Sequence, residues 1–122
     1  MSAWRKKAIE LLPDFKTEFN RKNSTVYDVF IQLLPATVLA HKQSDKQSLR
    51  KYYDFARWCL QQKEKDLWNA AGVVFYEHLG DYEETFNEMH LWVEKQIYDQ
   101  IKGLLEINLP KEKFHDLENR YR

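Results

Sequence analysis

Apolar residues recur along this chain at three- and four-residue intervals, and the alternation that marks strands is almost absent, so helices should dominate. The first helical pattern runs from Ser2 towards Leu12. Pro13 interrupts it by taking the first-turn position of a second segment that continues to about Arg21, and Leu11, Phe15 and Phe19 keep a four-residue spacing across the break. Asn23-Ser24-Thr25 supplies N-cap chemistry for a second helix carrying Val26, Tyr27, Phe30, Leu33 and Leu34. Pro35 should kink or end it before the stretch Ala36 to His41. A third helix follows, capped by Ser44 or Asp45. Its Tyr52, Phe55, Ala56, Cys59 and Leu60 form the cleanest amphipathic stripe in the sequence.

A fourth helix, about Glu64 to Leu79, is apolar on more than one side. Leu67, Ala71, Val74 and His78 mark one stripe while Val73, Phe75 and Leu79 lie off it, which predicts a central helix with neighbours on several faces. Gly72 would permit a close crossing there. Gly80 reads as its C-terminal cap and Asp81 as the N-cap of a long fifth helix reaching about Ile107. Phe86, Met89, Val93, Ile97, Ile101 and Leu104 form the inward stripe of that helix, with Gly103 a weak point. Asn108-Leu109-Pro110 ends it. Pro110 then starts a last helix that returns Phe114, Leu117 and Tyr121 to the core.

The expected fold is therefore all-α, an irregular antiparallel bundle or short stack of helical hairpins with roughly five to six helices. At 122 residues the chain falls in the range of one domain, taken as residues 1–122. A folded surface of roughly 7,000 Å² follows from its mass, small enough to leave a core without covalent staples.

Charge alters this picture only locally. Basic and acidic side chains balance at 19 each, so no global field favours nucleic acid or an anionic membrane. The basic cluster Arg5, Lys6, Lys7, Lys16, Arg21 and Lys22 is interrupted at helical spacing by Glu10, Asp14 and Glu18, as in a salt-bridged solvated face. The two halves of the chain differ: residues 1–60 carry 11 basic and 6 acidic groups, whereas residues 61–122 carry 8 and 13. No apolar run follows the charged start and none approaches membrane-spanning length, so neither export nor membrane insertion is expected. The lone Cys59 lies on an inward stripe and reads as core packing in a reducing, cytoplasmic setting.

Candidate chemistry is sparse. The four histidines are scattered without metal-ligand spacing, no nucleophile elbow occurs, and the three glycines are isolated, so no metal, cofactor or catalytic residue is predicted. Glu77 falls on a face expected to be buried, where a carboxylate must be paired or protonated. A structural bond to a tyrosine, an indole or Arg57 is the simpler reading. A general base is the alternative.

The remaining feature is acidic. Between Glu77 and Asp99 lie Glu77, Asp81, Glu83, Glu84, Glu88, Glu94 and Asp99 against a single Lys95. On the wheel of the expected fifth helix, Asp81, Glu84, Glu88 and Asp99 cluster opposite the apolar stripe, with Trp92 beside them and Leu91 and Tyr98 on the other flank. This ridge is either an ordinary solvated helix back, with Trp92 covered by the last helix, or a docking face in which charge orients a basic partner and the indole anchors it.

Glu10-Leu11-Leu12-Pro13-Asp14-Phe15-Lys16, Tyr53-Asp54-Phe55-Ala56-Arg57-Trp58-Cys59-Leu60 and Asn69-Ala70-Ala71-Gly72-Val73-Val74-Phe75-Tyr76-Glu77-His78-Leu79 together carry a likeness. Over about residues 8 to 80 the chain resembles small bacterial helical proteins that are similar to immunity proteins of secreted or contact-delivered toxins. The resemblance implies a non-enzymatic cytoplasmic protein of contact-dependent inhibition that covers the active site of a cognate toxin domain. Many such toxins are nucleases with basic channels, which an acidic, aromatic-edged face would complement. The resemblance itself identifies no contact residues, and the ridge lies largely outside the matched stretch; taking the ridge as the toxin-facing surface makes Asp81, Glu84, Glu88, Trp92 and Asp99 the expected contact residues. A regulatory or scaffold module unrelated to toxins is the alternative.

Overall fold

Local capping and a crowded centre account for most of the architecture. A computed structural model describes residues 2–15 and 23–122; among them are seven α-helices and no strand. In chain order these are α1 (Ala3–Leu11), α2 (Val26–Lys42), α3 (Lys46–Leu60), α4 (Lys65–Ala70), α5 (Glu83–Trp92), α6 (Lys95–Asn108) and α7 (Lys111–Arg120). The all-α expectation holds, with more helices than predicted. Phe19 and Arg21 of the expected first helical region lie outside the described residues, as do Lys16, Glu18 and Lys22.

α1 is followed by a single 3-10 turn, Pro13–Phe15. Thr25 then opens α2 with a capping box: its hydroxyl accepts from the Asp28 N–H, and the Asp28 carboxylate accepts from the Thr25 N–H at 2.9 Å. Arg5 of α1 donates to both the hydroxyl and the carbonyl of Ser24, tying the first helix to the start of the second. Of the two outcomes expected at Pro35, a kink or an end, the helix does not end there: α2 runs through it. Proline has no N–H for the carbonyl four residues back, that of Ile31. Both residues are exposed, so water can serve the orphaned acceptor. Of the two candidates for capping α3, Asp45 does so, accepting from the Ser48 N–H and hydroxyl. Ser44 instead takes a left-handed backbone with φ of 53°.

The expected fourth helix is α-helical only to Ala70. It passes into a π-helical stretch, Ala71–Phe75, and then a 3-10 stretch, Tyr76–Asp81. This changing pitch lets one segment meet α2, α3, α5 and α6 at once, which confirms its central place. Leu67, Ala70, Ala71, Gly72, Phe75, Tyr76, Leu79 and Gly80 are all buried. Phe75 packs its ring against Phe30, Tyr53 and Tyr76 at 5.8, 5.7 and 5.3 Å between centroids. Gly72 gives the close crossing predicted for it, because a Cβ there would lie 3.3 Å from Leu104.

Gly80 serves differently from expectation. Its φ is not positive, so it is no left-handed cap; a Cβ at this position would come within 2.6 Å of the Leu109 side chain. Glycine is required by the approach of α6's end. Asp81 is likewise not the N-cap of the next helix. Tyr82 holds that position without a side-chain cap, while the Asp81 carboxylate accepts from Asn108 and pairs with His78.

The long fifth helix is two helices. Val93 and Glu94 are extended, with ψ of 107° and 158°, and separate α5 from α6. No proline or glycine marks this break. It is completed by tertiary structure: the Tyr121 hydroxyl donates to the Val93 carbonyl at 2.7 Å, with the Met89 carbonyl, which also accepts from the Val93 N–H, at 3.2 Å. Tyr121 itself is placed by α7, stacked on Tyr98 at 3.8 Å. Pro110 stands immediately before α7, and Leu117 is buried, as predicted. Cys59 is fully buried, and burial pushes its thiol far above the ordinary range, consistent with packing. No described helix is long and apolar enough to cross a membrane.

Replacing Phe75 with alanine should cost about 3–5 kcal/mol in urea unfolding, since the ring is fully buried and packs on three other rings. Gly80→Ala should cost about 1–3 kcal/mol through overpacking. That penalty should shrink in a Leu109→Ala background, and a double-mutant cycle with no coupling would refute the proposed clash.

Candidate interaction surface

Glu84, Glu88 and Trp92 are spaced four residues apart on α5 and so share one face of it. That face is not an open ridge. It lies on the C-terminal end of α2 and on α3: Glu84 sits 3.7 Å from the Lys42 ammonium, and Glu88 bonds the His41 imidazole at 2.6 Å. Trp92 stacks on Tyr53, with centroids 5.7 Å apart and planes 16° from parallel, and meets the His41 ring edge-on. The indole is thus packed against side chains of α2 and α3.

The other two predicted contact residues fall elsewhere. Asp99 is on α6, beyond the break, so the helical wheel that joined it to Glu88 does not apply. It is exposed and pairs with Lys95 at 2.9 Å, a hydrogen bond that holds its carboxyl below the usual range. Asp81 is also exposed, at the end of the 3-10 stretch, bonded to His78 at 2.7 Å and Asn108 at 2.9 Å. Glu77 is half-buried, and its carboxylate finds His78 at 3.4 Å rather than a tyrosine, an indole or Arg57. Arg57 is engaged by Asp54 and Glu94.

His41 was not among the predicted residues. Successive steps of three, four and four residues from Phe30 through Leu33 and Thr37 reach His41 and continue the buried stripe of α2, and that spacing was the available signal. Its side chain is 1% exposed, with Nδ1 on Glu88 and Nε2 on the Tyr53 hydroxyl at 2.7 Å. A carboxylate only accepts, so Nδ1 carries a proton. In the neutral ring Nε2 then accepts from the phenol; in the charged ring it donates to it. Both ring nitrogens are satisfied in either case. The chain Glu88–His41–Tyr53 fastens α5 to α2 and α3, and one Glu88 oxygen, Oε2, remains without a partner among the described residues.

Two clefts flank Trp92. One, of about 120 Å³, includes Tyr53, Arg57, Tyr76 and Glu94 in its lining. The other, of about 320 Å³, is a groove lined by Ser44, Lys46, Leu49, Glu88, Leu91 and Trp92. Leu91, at its rim, is 68% exposed. No group of three or more His, Cys, Asp or Glu side chains converges as a metal site among the described residues.

Residues 5–107, from α1 to the last turn of α6, match the family described as Domain of unknown function (DUF7674). The chain belongs to this family. No curated protein and no solved structure matches it. Within the DUF7674 stretch lie the whole of the His41 relay, Trp92 and both flanking clefts, while α7, which supplies Tyr121, falls outside it.

The relay in this DUF7674 domain makes a prediction at alkaline pH. Burial, reinforced by the Tyr76 and Tyr121 phenols and by Glu88, raises the Tyr53 phenol well above its ordinary value of 10.0. Above that pH an unfolded chain loses the Tyr53 proton while the folded one keeps it, so the native state binds more protons and stability falls as pH rises. The contribution is about 1.4 kcal/mol per pH unit between the two values. Tyr53→Phe should remove that component of the slope in urea titrations at pH 9 to 11. Near neutrality it should also cost about 1–3 kcal/mol, because His41 loses a partner.

Proposed function

We propose that this chain is a protein-binding module, and that its partner is the basic active-site region of a bacterial toxin domain, a nuclease, which it covers as a non-enzymatic cytoplasmic immunity protein. The observation that carries the binding role is the Leu91–Trp92 pair. A leucine two-thirds exposed stands beside an aromatic ring already fixed by stacking on Tyr53, at the rim of a groove. An anchor immobilised before binding loses little conformational entropy when a partner arrives.

The acidic side chains divide into two roles under this reading. Glu88 and Glu84 belong to the contact face with Trp92. Asp81 and Asp99 lie off the groove and contribute to the negative field of the second half of the chain, which speeds and orients a basic partner. A standard interface takes about 800 Å² from each partner. That is a modest share of the 7327 Å² surface. The choice of a toxin as partner rests on the sequence resemblance over about residues 8 to 80.

Co-expression with the C-terminal domain of a toxin encoded beside this chain is the test. The expected outcome is a co-purifying complex, protection of growth, and affinity that weakens as salt rises from 0.1 to about 0.5 M. Absence of a complex at low salt together with undiminished toxicity would refute the immunity reading.

A further inference from the structure

We infer that the groove between α5 and the start of α3 is a receptor for an arginine-containing peptide segment in which an apolar residue neighbours the arginine. This rests on the protein-binding role proposed above and names the chemistry it recognises. The floor of the groove is Leu49, 1% exposed, and its apolar walls are Trp92 and Leu91. Its volume of about 320 Å³ suits a few side chains of a larger ligand rather than a whole cofactor.

Charge decides the occupant. Glu88 lines this groove with its side chain 45% exposed, and His41 holds one of its oxygens at 2.6 Å while Oε2 has no partner among the described residues. A carboxylate fixed from behind by a buried ring is a preorganised acceptor for a cationic donor. Trp92, the residue beside it, is held by Tyr53, and a planar guanidinium stacks on an indole where a compact ammonium does not. Arginine satisfies both neighbours together. Lys46 lines the same groove and makes no ion pair among the described residues. It disfavours a second cation and supplies a donor for a backbone carbonyl of the same segment. The groove therefore has an acidic part, an apolar floor and one lysine, a pattern matched by a peptide bearing a single arginine next to an aliphatic or aromatic residue.

The probe is a random dodecapeptide library displayed on phage and selected on the full chain. Peptides with arginine adjacent to an apolar residue should be enriched. The best of them, made synthetically, should lose about tenfold or more in affinity on Leu91→Asp and about threefold or more on Glu88→Gln. Leu91 is too exposed for its replacement to unfold the chain, so that arm stays readable should Glu88→Gln disturb the His41 bond. No enrichment, enrichment of acidic peptides, or affinity unchanged by Leu91→Asp would overturn the proposal. A dimer in sedimentation that Leu91→Asp abolishes would overturn it in favour of a second copy of the chain. The two proposals fail separately: peptide binding without a toxin complex removes only the immunity reading, and a toxin complex indifferent to Leu91→Asp removes only the groove.

Discussion

The fold depends on one crowded segment. Residues Lys65–Asp81 contact α2, α3, α5 and α6. Along this segment the pitch changes twice, from α to π to 3-10. Phe75 stands at the end of the π stretch, where its ring meets Phe30, Tyr53 and Tyr76. Close packing of this kind tolerates neither a void nor an added methyl group well, which is why glycine occupies the approaches to Leu104 and Leu109.

Irregular backbone leaves polar groups that must find partners, and here long-range side chains provide them. Tyr121 serves the carbonyls at the end of α5; Asn108 serves the Glu77 carbonyl and the Asp81 carboxylate; Thr85 serves the Leu79 and Tyr82 carbonyls. The His41 relay belongs to the same pattern. It satisfies a buried imidazole and a buried phenol while locking α5 to its neighbours, and that locking fixes Glu88 and Trp92 at the groove. The candidate contact surface is thus a by-product of how the core disposes of its polar atoms.

The acidic ridge illustrates the limit of a one-helix projection. Glu84, Glu88 and Trp92 do share a face, because a four-residue spacing within one uninterrupted helix guarantees it. Asp99 left that face when the backbone became extended at Val93 and Glu94. Asp81 left it because its carboxylate was drawn to His78 and Asn108 instead of capping α5. Periodicity is a local property, and both errors arose where a distant side chain fixed the backbone.

What the sequence determined by itself is what short-range physics controls: the all-α class, capping within Asn23–Thr25 and at Ser44 or Asp45, the α3 stripe, the central place of the Gly72 segment, and the burial of Cys59 and Leu117. These follow from hydrogen bonds and apolar spacing within a few residues. Only the tertiary structure decided the division of α5 from α6, the passage of α2 through Pro35, the pairing of Glu88 with His41 and the groove beside Leu91. The helix break, the Glu88–His41 pair and the groove each couple residues far apart in the chain, and the free energy that selects them exists only once the helices are packed.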